Sequence, residues 1–296
     1  YRMKKAFYIR TKRAGRRVKC VRYQRPLPCD TGRARAAKMR HTKAAQRFIN
    51  CKNTTEKLEL LLFANFDSPL ACFVTLTYDG SHLPRSKAAA KANMAKVNER
   101  MRCDKRKRGE PFPYVYTTEG AAQASTESID VGADAWEVCP WEVKERWEEL
   151  GAQPTEWANG EARLHHHAIM LLSDSDFDAL RAAWPHGAVY ISRIKVDDIS
   201  SFERLASYIT KDSRAEKTKT GERAYTPSEG LVQPEVSGRW VEEYEDIVPP
   251  TGAVLISDTR DETQYSSYHQ CSFILPKEAK LPEEYQSPYK SRKRNK

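Results

Sequence analysis

Residues 163–172 read RLHHHAIMLL, three consecutive histidines opening an apolar run in a chain of 296 residues that holds only seven histidines. Taken as a strand, the run sends His165 and His167 to one side and His166 to the other, because side chains alternate across a strand. Two imidazoles two residues apart on one face can approach one metal ion from the same direction, with His166 as the spacer packed on the opposite face. The competing reading is three core or surface histidines with no ligand role.

The neighbouring segments set the fold class. ACFVTLTYDGSHLP (71–84) is a β-rich alternating segment from Phe73 to Tyr78, followed by the turn signals Asp79-Gly80 and Pro84. Thr75 and Thr77 should share one face of that strand with Phe73, and Val74, Leu76 and Tyr78 the other. SKAAAKANMAKVNERMRCDKRKRG (86–109) has helix formers throughout and stops at Gly109, and FPYVYTTEG (112–120) is a short strand ending at Gly120. After the histidine strand come a helix, SDFDALRAAW (175–184), which Ser173 or Asp174 can cap, a strand AVYISRIKV (188–196), and a helix from about Ser200 to Lys211. Strands alternating with helices in this order predict an α+β fold: one antiparallel or mixed sheet covered by helices.

Charge is divided unevenly. Residues 1–57 carry 19 Lys+Arg against Asp30 and Glu56, a net +17 that leaves −7 for the rest of a chain whose total is +10. This predicts a basic N-terminal arm, YRMKKAFYIRTKRAGRRVKCVRYQRP at its start, able to follow a phosphate backbone with aromatics free to stack on bases, or else a disordered, solubilising tail. Pro26, Pro28 and Gly32 break the arm, and 34–66 reads as one or two helices ending near Asn65. Residues 121–162 hold ten acids against Lys144 and Arg146 and read as an acidic insertion with a helix in WEVKERWEEL (141–150). The boundaries expected are an arm over 1–57, a core domain over 58–232, and a C-terminal extension over 233–296. That extension has a strand pair in AVLISD (253–258) and CSFILP (271–276) and a basic tail KSRKRNK.

Seven scattered cysteines without CxxC spacing fit reduced thiols better than a disulfide frame or zinc knuckle. No apolar run approaches the roughly 18 residues of a membrane helix, so neither a membrane span nor a secretory signal is expected, and the cytoplasm is the expected compartment.

A metal held by two imidazoles wants a third, anionic ligand. Glu119 closes the strand before the histidines, and antiparallel pairing would bring its carboxylate to the histidine face. The same two-His-one-carboxylate set serves non-haem iron oxygenases, so the triad alone does not decide the reaction. In SSFERLASYITKD (200–212), Phe202, Leu205, Ala206 and Ile209 make a buried stripe, while Arg204, Tyr208 and Lys211 share another face. A Tyr–Lys pair at this spacing is common on surfaces. Beside a metal it acquires a mechanism, in which a divalent ion withdraws charge from a scissile phosphate, Lys211 stabilises phenolate or offsets charge on the phosphate, and Tyr208 forms a phosphotyrosine ester that a 3′-hydroxyl can later reverse.

These residues resemble the HUH endonucleases, and within them the rolling-circle replication initiators of small single-stranded DNA phages and related bacterial plasmids. FVTLTYDGSHLP (73–84) is similar to the first family motif, RLHHHAIML (163–171) to the metal-binding motif and YITK (208–211) to the nucleophile motif, in the family's order. ANF (64–66) and ERAYTPSEGL (222–231) resemble segments of bacterial and gokushovirus-type members, so the likeness covers roughly residues 60–232. It implies a five-stranded antiparallel sheet of ferredoxin-like type with the histidine strand central. It further implies His165, His167 and Glu119 as ligands of Mg2+ or Mn2+, and Tyr208 as nucleophile assisted by Lys211. Thr75, Thr77, Arg163 and Arg204 are the candidate DNA contacts, and Tyr225 is a candidate second nucleophile.

Departures from the family pattern are a histidine at the motif's central position, about 45 residues between Glu119 and His165, and a single tyrosine on the nucleophile helix. The implied partners are single-stranded DNA at a replication origin and a host helicase and polymerase, with no membrane. Competing readings are a relaxase or transposase of the same chemistry, a catalytically inactive DNA-binding regulator, and an oxygenase. The oxygenase leaves Tyr208, Lys211 and the basic end unexplained.

Overall fold

The computed structural model describes residues 5–26, 44–120, 164–196, 198, 200–211, 223–241, 246–262 and 267–276. Among them the fold is α+β, with two five-stranded antiparallel sheets and four helices. The chain divides into two compact units, one of residues 1–46, 63–65 and 232–296, the other of 47–62 and 66–231. No helix among the described residues is long and apolar enough to cross a membrane.

The second unit holds strands β3 (Ala71–Thr77), β4 (Tyr114–Glu119), β5 (His165–Leu171), β6 (Val189–Arg193) and β7 (Thr226–Pro227), in the order β6-β3-β5-β4-β7. The histidine strand is therefore central. Its registers place Thr77 and Glu119 directly across from His165, and Thr75 and Thr117 across from His167. Central strands buried on both sides read as nearly continuous apolar runs, and β3, β4 and β5 are buried over almost their whole length.

One face of this sheet is covered by α2 (Lys87–Lys107) and α3 (Ser175–Ala183). Ala90, Met94, Val97 and Met101 recur at helical spacing on α2 and pack with Val74, Leu76, Tyr116, Ala168 and Met170. Each such fully buried side chain contributes roughly 1.5–3 kcal/mol. Ser86 caps α2 through its hydroxyl to the Ala89 amide, and three cations in the last turn suit the helix dipole before Gly109, at φ +70°, turns the chain away. Ser173 and Asp174 precede α3, but Asp174 makes no side-chain cap bond; Ser173 instead donates to Asp176 inside the helix. Asp176, fully buried, joins the helices by accepting from Lys105 at 2.5 Å and from Arg108.

The last two helices are α1 (Ala44–Phe66) and α4 (Ser201–Ile209). Asp198 organises the entry to α4 by accepting from the Ser200 amide and hydroxyl. The stripe read from the sequence, Phe202, Leu205, Ala206 and Ile209, is buried, and the Thr55 and Thr210 hydroxyls tie α1 to α4 at 2.6 Å.

The first unit corrects the reading of residues 1–57 as an arm. Lys5–Ala14 (β1) and Arg17–Pro26 (β2) form a hairpin whose turn puts Gly15 at φ +55°, where its missing Cβ leaves only 3.1 Å to the Phe63 carbonyl oxygen. The hairpin shares a sheet with β8 (Glu235–Val241), β9 (Val254–Glu262) and β10 (Ser267–Ile274), in the order β8-β1-β2-β10-β9. Residues expected to be an arm thus pair with residues expected to be a C-terminal extension. The reason is burial: Val18, Cys20, Cys271 and Phe273 are fully enclosed with Ile247 and Leu275. The expected helix at 141–150, the insertion at 121–162 and the basic tail at 290–296 lie outside the described residues.

Candidate metal and nucleophile site

His165 and His167 project from β5 on the face away from α2, and Glu119 projects beside them from β4. The strand pairing explains the meeting, because residues directly opposite on antiparallel strands share a face. The Glu119 Oε2 atom lies 3.6 Å from His165 Nε2 and 3.8 Å from His167 Nε2, and one ligand atom from each residue lies within 4.8 Å of the others. Two donors on one ion at about 2.1 Å and tetrahedral angles stand about 3.4 Å apart, so the donor set fits a metal with little adjustment. Glu119 Oε1 is buried without a hydrogen-bond partner among the described residues, a cost that a cation among the three residues would remove. A buried Glu119/His165/His167 group can therefore bind a divalent metal.

His166 faces the other way. It is fully buried among Tyr78, Tyr116 and Trp184, its Nδ1 2.9 Å from the Thr118 hydroxyl and its Nε2 3.0 Å from the Tyr78 hydroxyl. Burial, then the neighbouring His165 and His186, push its pKa down to about 3, so it is a neutral structural imidazole at neutral pH.

Thr75 sits 1% exposed with its hydroxyl 3.1 Å from His167 Nδ1. That contact orients the ring so that Nε2 faces Glu119 and Tyr208. Thr75, expected as a DNA contact, is buried against His167 rather than facing solvent; the strand periodicity carried the signal, since Thr75 is opposite His167. Phe73 stacks on the His167 ring at 5.3 Å and fixes its plane.

Tyr208 is buried, not a surface residue of α4. Its hydroxyl lies 2.9 Å from His167 Nε2, and its ring meets Phe73 edge-on. The Lys211 ammonium stands 2.7 Å from Glu119 Oε2 and 3.8 Å from the Tyr208 ring centroid. Burial alone would push the Glu119 carboxyl up, but the imidazoles and Lys211 outweigh it and hold it down at about 2. His167 goes the opposite way, its pKa lowered by burial.

The other sequence candidates fall elsewhere. Thr77 is half-buried, its hydroxyl 3.4 Å from the Ala188 carbonyl. Arg204 is exposed and paired with Asp198. Tyr225, beside β7, is raised in pKa by burial and makes no hydrogen bond or ring contact with the donor residues. Arg163 lies outside the described residues.

No family model, curated protein or solved structure matches the chain.

Proposed function

We propose that this chain is a metal-dependent endonuclease and strand transferase acting on single-stranded DNA at a replication origin, where it starts rolling-circle replication with host helicase and polymerase. The observation that carries this reading is the Tyr208 hydroxyl, 2.9 Å from His167 Nε2 at the edge of the Glu119/His165/His167 donor set. An oxygenase has no use for a buried phenol and an ammonium at that position, whereas phosphodiester transfer needs both.

Glu119, His165 and His167 would hold the ion, Mg2+ or Mn2+, which would draw charge from the non-bridging oxygens of the scissile phosphate. Tyr208 supplies the nucleophile. Its oxygen bonds to phosphorus as the bond from phosphorus to the 3′-oxygen breaks; the phenolic proton leaves to water, and the departing 3′-oxygen takes up one. Lys211, whose ammonium lies over the ring, stabilises the phenolate as it forms. The 5′-phosphotyrosine ester keeps the energy of the phosphodiester, so attack by a 3′-hydroxyl reseals the strand and restores Tyr208. Thr75 and Phe73 hold His167 in place throughout.

The test incubates the protein and its Tyr208→Phe variant with labelled single strands tiled across the replicon that carries the gene, with Mn2+ or Mg2+. A covalent adduct that survives denaturing electrophoresis is expected with the parent and absent from the variant. No adduct with the parent, or an undiminished one with the variant, overturns the assignment.

A further inference from the structure

The sheet of the first unit has two chemically different faces. On one, Arg22 and His269 are fully buried, Arg22 within reach of Asp246 and Glu262 and His269 of Asp246 and Asp258. Asp258 and Glu262 of β9 lie on that face, whereas Asp261 lies on the other, directly opposite Tyr268. On the other face, strand alternation and register place no acid on β8, β1, β2 or β10, while β1 and β2 carry Arg10, Lys12 and Lys19.

The same registers set four aromatic residues in a row across these four strands: Trp240 opposite Tyr8, Tyr8 opposite Tyr23, and Tyr23 opposite Tyr268. Strands about 4.8 Å apart make the row about 14 Å long. Ring centroids are 5.0 Å apart for Tyr8 and Trp240 and 5.7 Å for Tyr8 and Tyr23. Trp240 is 38% exposed and Arg10 is exposed. At Gly238 a Cβ would stand 2.0 Å from the Tyr8 hydroxyl oxygen, so the Tyr8 ring lies down across the bare backbone there.

Arg10 occupies the next position along this face, and Lys12 and Lys19 face each other directly in the one after. A line of π-faces flanked by a line of cations matches a single strand of nucleic acid, whose bases stack while its phosphates run alongside.

We infer that this face of the first unit is a second nucleic-acid site that binds single-stranded DNA, stacking bases on the Trp240–Tyr8–Tyr23–Tyr268 row and phosphates on Arg10, Lys12 and Lys19. The choice of DNA over RNA rests on the nuclease reading above. A duplex is disfavoured because its bases already stack on one another.

Binding is read by fluorescence anisotropy of labelled oligothymidylate with the full chain carrying Tyr208→Phe, in EDTA, so that neither cleavage nor metal contributes. Trp240→Leu keeps apolar bulk but removes the ring, and is expected to weaken binding roughly five- to hundredfold. Trp240→Phe is expected to restore most of it. Arg10→Gln is expected to lower the slope of log affinity against log salt by about 0.7. Photo-crosslinks from an iododeoxyuridine strand should map to the four aromatics.

Parent-like binding by both Trp240→Leu and Arg10→Gln, crosslinks confined to other residues, equal competition by duplex, or tighter binding of oligouridylate each overturn the inference. Thermal melting of the variants separates a lost site from a lost fold. If no adduct ever forms with the unmodified protein while these variants still lose binding, the nuclease reading falls and this site stands.

Discussion

The hydroxyl of Tyr208 contacts His167 Nε2, the same atom that a metal ion held by Glu119, His165 and His167 would take. The hydroxyl lies 2.9 Å from that nitrogen, Lys211 holds Glu119 Oε2 at 2.7 Å, and Thr75 is at the imidazole's other nitrogen. Entry of a cation therefore releases the phenol and loosens Lys211 from Glu119. A hydrogen bond of this kind is worth about 1 kcal/mol net. Tyr208→Phe, measured by calorimetric titration with Mn2+, is expected to bind the ion a few-fold more tightly than the parent while forming no DNA adduct. Weaker metal binding in the variant contradicts the competition.

The support of His167 by Thr75 predicts a different effect. Thr75→Val keeps the volume and removes the hydroxyl that orients the ring, and partners of this kind are worth ten- to hundredfold in metal affinity. His165→Ala and His167→Ala should abolish measurable binding. His166→Ala should leave metal binding and much of the cleavage in place and lower stability by about 3 kcal/mol, since it opens a cavity and strands the hydroxyls of Thr118 and Tyr78. Equal loss of metal by all three histidine variants would undo the assignment of faces.

What could be read in the sequence was what short-range periodicity carries. Alternation alone separates His166 from its neighbours, and Glu119 reaches His165 because the strands that hold them pair antiparallel. The i, i+4, i+7 face of α4 was legible as a face, but its burial was not: Tyr208 is enclosed, while Arg204, one turn earlier, is exposed and bound to Asp198. Helical spacing gives direction, and the depth at each turn depends on what packs above it.

The first unit was hidden by its charge. Phe7, Ile9 and Thr11 with Val18 and Cys20 alternate as a half-buried hairpin should, but the cations between them and the inward-facing Arg22 disguise the pattern as a basic arm. Its partner strands lie more than 200 residues along the chain, in a stretch rich in Gly, Pro and charge, where β8 gives no local signal. Pairing at that separation leaves no trace in a local window.

The buried histidines predict acid sensitivity well above the carboxylate range. The unfolded chain takes up protons on these imidazoles near pH 6.5, whereas His166 in the fold accepts one only at about 3 and His167 is likewise lowered. Protonation therefore favours the unfolded state throughout that window. Stability is complete above pH 6.5 and falls toward pH 5 by on the order of 1 kcal/mol per pH unit for each of His166 and His167. Glu119 and Asp176, whose folded pKa values are depressed, add their loss only below about pH 4.5. Urea denaturation of the metal-free protein at pH 7.5 and 5.5 is expected to show the decline, and His166→Gln should flatten part of it. An unchanged unfolding midpoint across that interval contradicts the neutral, buried assignment.

Asp176 offers the test of what holds α2 and α3 to each other. Its carboxylate is fully buried and accepts from Lys105, Arg108 and the Ser173 amide and hydroxyl, and Lys105 is itself only 4% exposed. Removing one partner of a buried ion pair strands the other charge, which costs several kcal/mol. Glu110, 2.9 Å from the Lys105 ammonium, remains as a partial partner. Asp176→Asn is therefore expected to cost about 3 kcal/mol in urea unfolding, near the lower end for such pairs. The double variant Lys105→Met/Asp176→Leu should recover part of that loss, because apolar side chains of similar size avoid the desolvation of both charges. Metal affinity should not change in either, since the pair lies on the opposite side of the sheet from Glu119, His165 and His167. A double variant less stable than Asp176→Asn would mean that the ion pair itself, rather than the cost of stranding its partner, holds these helices.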